Sequence, residues 1–545
     1  MSRIFWILAT ICVTLGVLAA IAIPSLSRAR VSSPPQESSQ APYSGTAFLE
    51  GGGEYAPSGG ALMSLEGDGD YVPSVAHNTE DYDPIEDNDF RDARLHALST
   101  FSIDVDTASY SNVRRFLELG QRPPADAVRV EELINYFQYD YPEPGPEHPF
   151  SLVAEVAPCP WKPEHRLVHV GLQGRRIPDS EVPPRNLVFL LDVSGSMEAP
   201  NKLPLLQASM RLLANQLRSQ DRVAIAVYAG AAGLVLEPTP GSDRRAILSA
   251  IDRLQAGGST AGSQGIQLAY EVASKSFIEG GVNRVVLATD GDFNVGIGSR
   301  GGLEELIEEK RDSGIFLTAL GFGMGNLKDA TLELLADKGN GNYAYIDSHQ
   351  EAEKVLVREV GATLVTIAKD VKIQVEFNPE RVSAYRLVGY ENRLLAAEDF
   401  NDDKKDAGEL GAGHTVTALY EVVPVGVAFD TRPVDPLKYQ EVQKPAPAKS
   451  SAELLTVKLR YKNPGAWAST LLERALHDDP HGVENDNVKF SAAVAAFGML
   501  LRNSEYKGGA TFDMVLELAR ESRGLDPHGD RAEFLKLVET AKSLM

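Results

Sequence analysis

The chain has 545 residues, 43% of them hydrophobic and 24% charged, and a formal net charge of -23 at pH 7. That length is enough for roughly two to four domains, and the composition is that of a globular protein with a sizeable core. The acidic balance excludes nucleic acid as an expected partner, because phosphate-binding surfaces need clustered Lys and Arg. The cysteines are Cys12 and Cys159, and since Cys12 falls in an apolar run we expect no intramolecular disulfide.

An apolar run extends from Ile4 to Ile23, which is close to the ~20 residues that cross a bilayer. It is longer than the core of a usual secretory signal, about 7–15 residues. We therefore expect residues 1–30 to form a membrane anchor, a single N-terminal pass in the cell membrane with the bulk of the chain outside the cytoplasm. Ala20 to Ala22 and Ser27 to Ala29 are candidate cleavage sites, so a secreted or periplasmic protein is the alternative.

Residues 31–88 are rich in Ser, Gly, Pro and acidic residues and predict a flexible linker, because they carry too little apolar surface to offset chain entropy. Residues 89–183 predict an extension of mixed helices and strands. Its predicted elements are a strand at Phe101 to Asp106, helices at Ala108 to Leu119 and Val128 to Tyr136, and strands at Ser151 to Val156 and Arg166 to Leu172. Thr107 is a candidate helix cap. Asp104 and Asp106 could form an ion site, but a strand end with helix capping is the favoured interpretation.

Residues 184–350 alternate between strand and helix patterns, which predicts a mostly parallel sheet wrapped by helices. The predicted strands are Leu187 to Asp192, Val223 to Tyr228, Gly233 to Leu236, Val285 to Thr289, Ile315 to Gly321 and Tyr343 to Ile346. The short segment Gly233 to Leu236 is expected to form an antiparallel edge. Gly321 to Asn326 has GxGxG spacing and comes late in the domain, so it indicates a glycine loop rather than a dinucleotide site.

Three polar segments follow strands or glycines of this region. Asp192, Ser194 and Ser196 form a DxSxS motif directly after the apolar strand, at the carboxyl end where ligands of open α/β sheets collect. Thr260 lies in the loop Gly257 to Gly262, whose glycines allow close approach of the backbone. Asp290 ends a second buried strand. Carboxylate and hydroxyl oxygens are the ligands that hard divalent cations prefer, although such residues are also ordinary in turns and helix caps.

Together these segments resemble the von Willebrand factor A domain, whose metal-ion-dependent adhesion site (MIDAS) combines DxSxS with a distant threonine and a distant aspartate. The resemblance implies a doubly wound, Rossmann-like α/β fold. It implies that Ser194, Ser196 and Thr260 bind a divalent cation directly. It also implies that Asp192 and Asp290 act largely through water and that an acidic group of a partner completes the coordination. The expected cation is Mg2+, with Ca2+ and Mn2+ left open.

After residue 350 the patterns change to period-two alternation, which predicts an antiparallel β-sandwich over residues 351–465. The predicted strands are Val371 to Phe377, Ala384 to Val388, Thr415 to Val423 and Leu454 to Tyr461. We expect these strands to pair with those of Ser151 to Leu172, so that the metal-binding domain is inserted in the sandwich or flanked by it. Residues 466–545 predict a helical region, with helices at Asn487 to Leu501, Phe512 to Ser522 and Arg531 to Leu544. The flanking segments are similar to the N-terminal extension and the C-terminal domain of unknown function of one bacterial family of von Willebrand A proteins.

The function that these patterns favour is a membrane-tethered, metal-dependent binding module that captures an Asp or Glu carboxylate of a protein partner. A metal-assisted hydrolase is one alternative and would need a positioned base, for which Asp292 is a candidate. HExxH, Walker A and GxSxG motifs do not occur, so a binding protein is expected rather than an enzyme. A scaffold that recruits an ATPase or an envelope complex is the other alternative. His477 and His481 are more typical of a surface turn than of a zinc site.

Overall fold

The computed structural model describes residues 80–178, 180–258, 262–291, 300–429, 451–478 and 485–545. Several features singled out from the sequence lie outside these ranges: the predicted membrane anchor of residues 1–30 with its candidate cleavage sites, residues 31–79 of the predicted linker, Thr260, Asp292 and His481.

The prediction of a membrane-spanning protein is corrected by this structure. Within the described ranges, no helix has both the length and the apolar character needed to cross a bilayer. The longest helix in these ranges is Asp486–Arg502, with 17 residues. At 1.5 Å per residue it spans about 26 Å, less than the hydrocarbon thickness of about 30 Å, and it carries charged residues at both ends.

The N-terminal part of the described chain forms two helices and four strands. In chain order they are β1 Arg91–Asp92, β2 Leu98–Ser102, α1 Ala108–Glu118, α2 Val130–Asn135, β3 Phe150–Pro158 and β4 Arg166–Gly174. The predicted cap of α1 is wrong in detail: Thr107 occupies the cap position, but its side chain forms no capping hydrogen bond. The Glu132 carboxylate accepts from the Ser109 backbone N–H at 2.8 Å instead, because α2 packs against the start of α1.

Residues 80–88, which composition assigns to the linker, contact the folded chain. Glu80 forms an ion pair with Arg115 of α1 at 2.6 Å. The backbone N–H of Asp81 donates to the Leu327 carbonyl at 3.1 Å. These tertiary contacts supply the stabilisation that the composition of the segment lacks.

The central region forms a six-stranded sheet. Its elements are β5 Arg185–Asp192, α3 Leu203–Gln216, β6 Arg222–Tyr228, β7 Ala232–Pro240, α4 Arg244–Asp252, α5 Gly262–Lys275, β8 Val282–Thr289, α6 Arg300–Asp312, β9 Ile315–Phe322, α7 Asp329–Lys338 and β10 Tyr343–Ile346. The strand order is β10-β9-β8-β5-β6-β7. All neighbours are parallel except the edge strand β7, which runs antiparallel to β6. The doubly wound sheet and its antiparallel edge are therefore confirmed.

Gly341 lies where the chain passes from α7 to β10 against the backbone of β9. A Cβ atom at this position would overlap the Leu317 carbonyl, and the adjoining backbone is held by a hydrogen bond from Leu317 N to the Gly339 carbonyl at 2.9 Å. We expect Gly341→Ala to lower the free energy of unfolding by about 3 kcal/mol, because the backbone must shift to relieve the overlap. Urea unfolding measures this change. Gly233→Ala, at a position with open space around the added atom, serves as the control, and equal losses in the two variants would contradict the prediction.

The chain then leaves the central sheet through short helices and enters the sandwich. These elements are α8 His349–Glu353, α9 Val360–Leu364, β11 Thr366–Phe377, β12 Val382–Val388, β13 Leu394–Leu395, β14 Gly408–Gly411, β15 Thr415–Pro424, β16 Glu453–Lys462 and β17 Thr470–His477. One sheet has the order β1-β12-β15-β4-β3 and the other β13-β2-β11-β16-β17, with β14 paired to β11. The two sheets meet through buried aromatic rings, such as Phe377 stacked on Tyr385 with centroids 3.8 Å apart.

The predicted insertion of the central domain in the sandwich is confirmed by strand pairing. Strand β15 runs antiparallel to β4, with Thr415 opposite Gln173 and Val422 opposite Arg166. These partners come from opposite sides of the central region in the sequence. The sheet therefore closes across the inserted domain, and both chain connections to that domain start from one sandwich.

Three helices end the chain, as predicted: α10 Asp486–Arg502, α11 Phe512–Glu521 and α12 Asp530–Leu544. The side chains of Asn485 and Thr511 cap the first two, each accepting from a backbone N–H of the first turn. The helices pack on the N-terminal segment, where the Phe137 ring lies 4.9 Å from that of Phe490 and 5.6 Å from that of Phe534. This apolar cluster joins the two ends of the described chain.

Candidate metal centre at the edge of the parallel sheet

Asp192 is the last residue of β5 and is fully buried. Its Oδ1 accepts a hydrogen bond from the Ser194 backbone N–H at 2.9 Å. Its Oδ2 accepts from the Tyr228 hydroxyl at 3.2 Å and from the Thr289 hydroxyl at 3.1 Å. Tyr228 and Thr289 end β6 and β8, the two parallel neighbours of β5. Burial raises the pKa of Asp192 despite the opposing Ser194 hydrogen bonds.

The two serines of the DxSxS motif lie side by side after this strand. Their hydroxyl oxygens, Oγ of Ser194 and Oγ of Ser196, are 2.9 Å apart. A 3-10 turn at Gly195–Glu198 brings them together. Ser194 is buried and Ser196 is exposed, so the pair extends from the protein interior to solvent.

The glycine loop lies directly against the DxSxS segment. The backbone N–H of Gly257 donates to the Val193 carbonyl at 2.8 Å, and the N–H of Gly195 donates to the Gly258 carbonyl at 3.0 Å. Gly258 has φ +83, a backbone conformation that glycine adopts readily. Thr260 follows two residues later and lies outside the described residues.

Asp290 follows β8 and is fully buried. Its Oδ2 accepts from Lys202 Nζ at 2.8 Å, and the same ammonium donates to Asn326 Oδ1 at 3.1 Å. Burial alone would raise the pKa of Asp290, but hydrogen bonds from Lys202 and Asn326 outweigh burial and lower the pKa overall. Within the described part of the chain its Oδ1 forms no hydrogen bond of ordinary length, although the nearby Ser196 hydroxyl contributes to the lowered pKa.

The structure thus brings together Asp192, Ser194, Ser196 and Asp290. The site also contains four residues that were not predicted from the sequence: Lys202, Tyr228, Thr289 and Asn326. Tyr228 and Thr289 carry a usable signal, because each ends a predicted parallel strand next to β5, at the edge where Asp192 lies. Lys202 precedes a helix and Asn326 belongs to a glycine-rich loop, and neither position carries a local pattern that indicates a site.

The residues at this edge fit a hard divalent cation. They offer two carboxylates and two hydroxyls, and such ions bind oxygen ligands and retain waters. Asp290 Oδ1 is a buried carboxylate oxygen without a hydrogen-bond partner among the described residues. An orphaned buried oxygen is costly unless a cation or water satisfies it, so the fit rests on this atom as well as on the donor set.

Asp104 and Asp106 form a different kind of centre with Glu333 of α7. Carboxylate oxygens of these three residues lie within 4.8 Å of one another. Arg393 lies among them: its Nη2 is 3.0 Å from Glu333 and 3.4 Å from Asp106, and its Nε is 3.4 Å from Asp104. Asp104 Oδ1 also accepts from the Asp106 backbone N–H at 3.0 Å. Arg393 supplies the positive charge that an ion would bring, so the geometry favours the strand-end interpretation over an ion site.

Family models match three consecutive parts of the chain. A model described as the von Willebrand factor type A domain matches residues 186–358, which contain the site. A model described as von Willebrand factor matches residues 76–169. A third, described as the C-terminal part of the uncharacterized protein YfbK, matches residues 362–544.

Known proteins are similar to this chain over different shares of its length. The uncharacterized protein YfbK of Escherichia coli (strain K12) is 42% identical over 507 residues, which are 92% of this chain and 87% of that protein. The uncharacterized protein sll0103 of Synechocystis sp. is 31% identical over 169 residues, 31% of this chain and 39% of that protein. Among solved structures, a von Willebrand factor type A protein from Catenulispora acidiphila aligns with 73% of this chain and 91% of its own, at 16% identity and a TM-score of 0.39.

Proposed function

The chain belongs to the YfbK family, with a von Willebrand factor A domain at residues 186–358, and on that premise we propose that it is a metal-dependent protein-binding module. Domains of this type often serve in protein–protein interaction. The proposed site is a MIDAS formed by Asp192, Ser194, Ser196, Thr260 and Asp290. The observation that carries the proposal is the convergence of the four described residues at one sheet edge, with Asp290 Oδ1 left without a hydrogen bond among the described residues.

Each residue has a proposed part in holding the ion. Ser194 and Ser196 lie with their hydroxyls adjacent and are proposed as direct ligands. Thr260 is the proposed third hydroxyl ligand, and the bond between Gly195 and Gly258 supports this because Gly258 is only two residues away. Asp192 and Asp290 are proposed to act largely through water. Tyr228 and Thr289 orient Asp192 by donating to its Oδ2.

The proposed ion is Mg2+ and the proposed ligand is a partner carboxylate. A bound divalent cation supplies a coordination position that a carboxylate oxygen can fill. The surface around the site offers contacts for the rest of a partner. Ser196 is exposed, and Met324 on the neighbouring loop is 47% exposed. A groove of about 330 Å³ lies beside it, lined in part by Asn201, Gly323 and Met324.

Asp192→Asn tests the proposal with little change in shape. The amide removes one negative charge. Its oxygen can accept from the Ser194 N–H while its NH2 group donates to the rotatable hydroxyls of Tyr228 and Thr289, so we expect a folded protein whose affinity for Mn2+, used as a probe for Mg2+, falls about 10–100-fold. Isothermal titration calorimetry on the full chain gives the affinity. Asp252→Asn, at an exposed carboxylate of the same domain, is the matched control and should bind like wild type.

Partner capture is tested with the same variants. Crosslinked proteins recovered with the wild-type chain in Mg2+ should be lost when the metal is chelated and when Asp192→Asn replaces wild type. They should be retained with Asp252→Asn. Recovery that is the same with and without metal would contradict metal-dependent binding.

A further inference from the structure

Lys202 places a positive charge inside the carboxylate cluster of the candidate metal centre. Its Nζ lies 2.8 Å from Asp290 Oδ2 and 3.1 Å from Asn326 Oδ1. The side chain is only 10% exposed, and Asp290 is fully buried. An ammonium in such surroundings interacts with neighbouring charges far more strongly than it would in water.

The chain holds this lysine in place from two sides. Lys202 directly precedes α3, and its carbonyl accepts from the Leu206 N–H at 2.8 Å as part of the first helical turn. The methylene stem passes over Gly323, where an added Cβ would overlap three carbons of the lysine. Gly323 has φ +73, so both its conformation and its lack of a side chain make room for the stem. The position of the ammonium is thus determined by two separate segments of the fold.

Lys202 changes the net charge of the candidate metal centre. Asp192 and Asp290 carry two negative charges, which one divalent cation would neutralise. Lys202 adds one further positive charge at hydrogen-bond distance from Asp290. The formal charges of the cation, the two carboxylates and the ammonium then sum to about +1, and charges this close interact strongly. Without the cation the same groups sum to about −1, so Lys202 weakens the attraction of the site for a divalent cation without abolishing it, and the loaded site attracts an anion placed against it.

We propose that Lys202 is a tethered counter-ion that weakens cation binding in the absence of a ligand and couples it to the arrival of a carboxylate. This inference rests on the metal-dependent function proposed above and extends it to specificity. Without a divalent cation, the ammonium compensates Asp290 and keeps the buried site assembled. With a cation, a carboxylate from the partner removes the excess positive charge. Cation and carboxylate therefore bind with positive cooperativity, and by linkage each raises the affinity of the other equally.

Lys202→Met tests this on the full chain with Mn2+ alone. Methionine keeps most of the apolar stem and removes the charge, so we expect Mn2+ to bind at least tenfold more tightly than to wild type, as measured by electron paramagnetic resonance of free Mn2+. Lys202→Arg keeps the charge and should bind Mn2+ within about threefold of wild type. A methionine variant that is folded by circular dichroism but binds Mn2+ equally or more weakly would overturn the inference, because Lys202 would then serve to position Asp290.

A second measurement needs no variant. Wild-type affinity for Mn2+ is compared in about 100 mM acetate and about 100 mM chloride at the same pH. The ionic strength is also the same, so that salt screens the charges of the site equally in both solutions. We expect acetate to tighten Mn2+ binding at least threefold, and we expect a smaller effect in Lys202→Met, where a carboxylate still coordinates the cation but meets no excess positive charge. Equal affinity in both salts would overturn the coupling. Wild type that binds no Mn2+ in either salt would overturn the proposed metal site itself, which separates the two failures.

Discussion

Replacing Arg393 by methionine is expected to lower the free energy of unfolding by about 3–5 kcal/mol, the usual loss when one partner of a buried ion pair is removed. Arg393 contacts Asp104, Asp106, Glu333 and Asp337, and its side chain is 11% exposed. Without the guanidinium the carboxylates of Asp104, Asp106 and Glu333 keep their buried positions but lose their shared cation. Urea unfolding at pH 7.5 measures the loss.

The expected loss of unfolding free energy is large because Arg393 forms ion pairs with four carboxylates. Arg129, the other cation of the cluster, already pairs with Asp329 at 2.6 Å and with Glu333 at 2.9 Å. It therefore cannot compensate the two aspartates. The cluster ties α7 of the inserted domain to the N-terminal segment and to the sandwich, so its loss should loosen all three.

Arg211→Met is the matched control for this prediction. Arg211 pairs with Asp252 at 2.6 Å, but the two side chains are 44% and 56% exposed, and exposed pairs contribute about 0–1 kcal/mol. A loss of similar size in both variants would show that Arg393 has no special role. The loss in Arg393→Met should also shrink at pH 5, because burial raises the pKa values of Asp106 and Glu333, which then take up protons more readily.

Glu131→Gln is expected to stabilise the protein increasingly as the pH rises. Glu131 is 1% exposed, and its Oε2 has no hydrogen-bond partner within the described ranges. Burial, followed by the negative charges of Glu391 and Asp104, raises the pKa of this carboxyl from 4.5 to about 8. The folded protein therefore binds a proton that the unfolded chain releases at a lower pH.

The sign of the pH dependence follows from this raised pKa. The contribution of Glu131 to stability is fully present below pH 4.5, the ordinary value, and is lost as the pH rises through about 8. Glutamine is neutral throughout and avoids that loss. The difference in unfolding free energy between Glu131→Gln and wild type should grow by about 2–4 kcal/mol between pH 4.5 and 9.

Unfolding curves across this pH range test the prediction directly. Glu517→Gln, at an exposed position of α11, is the control and should differ from wild type by a constant amount. Taking the difference between variant and wild type removes contributions of opposite sign, such as that of Asp221, where hydrogen bonds from Arg218 and Arg185 outweigh burial and lower the pKa to about 2. A pH-independent difference for Glu131→Gln would mean that Glu131 is ionised in the folded protein.

Much of the fold can be read from local patterns. The buried strands β5 and β8 contain continuous apolar runs, Leu187 to Leu191 and Val285 to Ala288. Each strand leads into an acidic residue, so the sequence indicates both the sheet and the placement of Asp192 and Asp290 at its edge. Period-two alternation predicts β11 and β15, and helical periodicity predicts α10, α11 and α12. These signals are reliable because burial on one or both faces imposes a periodicity on neighbouring residues.

Other elements carry no such periodicity. Strand β17 is an edge strand whose residues are mostly exposed, so burial does not impose an alternating pattern on Thr470–His477. Residues 80–88 have the composition of a linker, yet ion pairs and backbone hydrogen bonds from distant segments hold them to the folded chain. In both cases the stabilising partner lies far away in the sequence.

The sequence by itself determined the parallel sheet, the sandwich around it and the acidic and hydroxyl residues at the sheet edge, because each depends on apolar periodicity and on the residues directly after a strand. Only the tertiary structure decided that Lys202 reaches Asp290, 88 residues away, and that Arg393 joins Asp106 from 287 residues away. A buried charge is tolerated only where its counter-charge meets it. The topology of the chain decides which charges meet, and local sequence patterns carry no information about it.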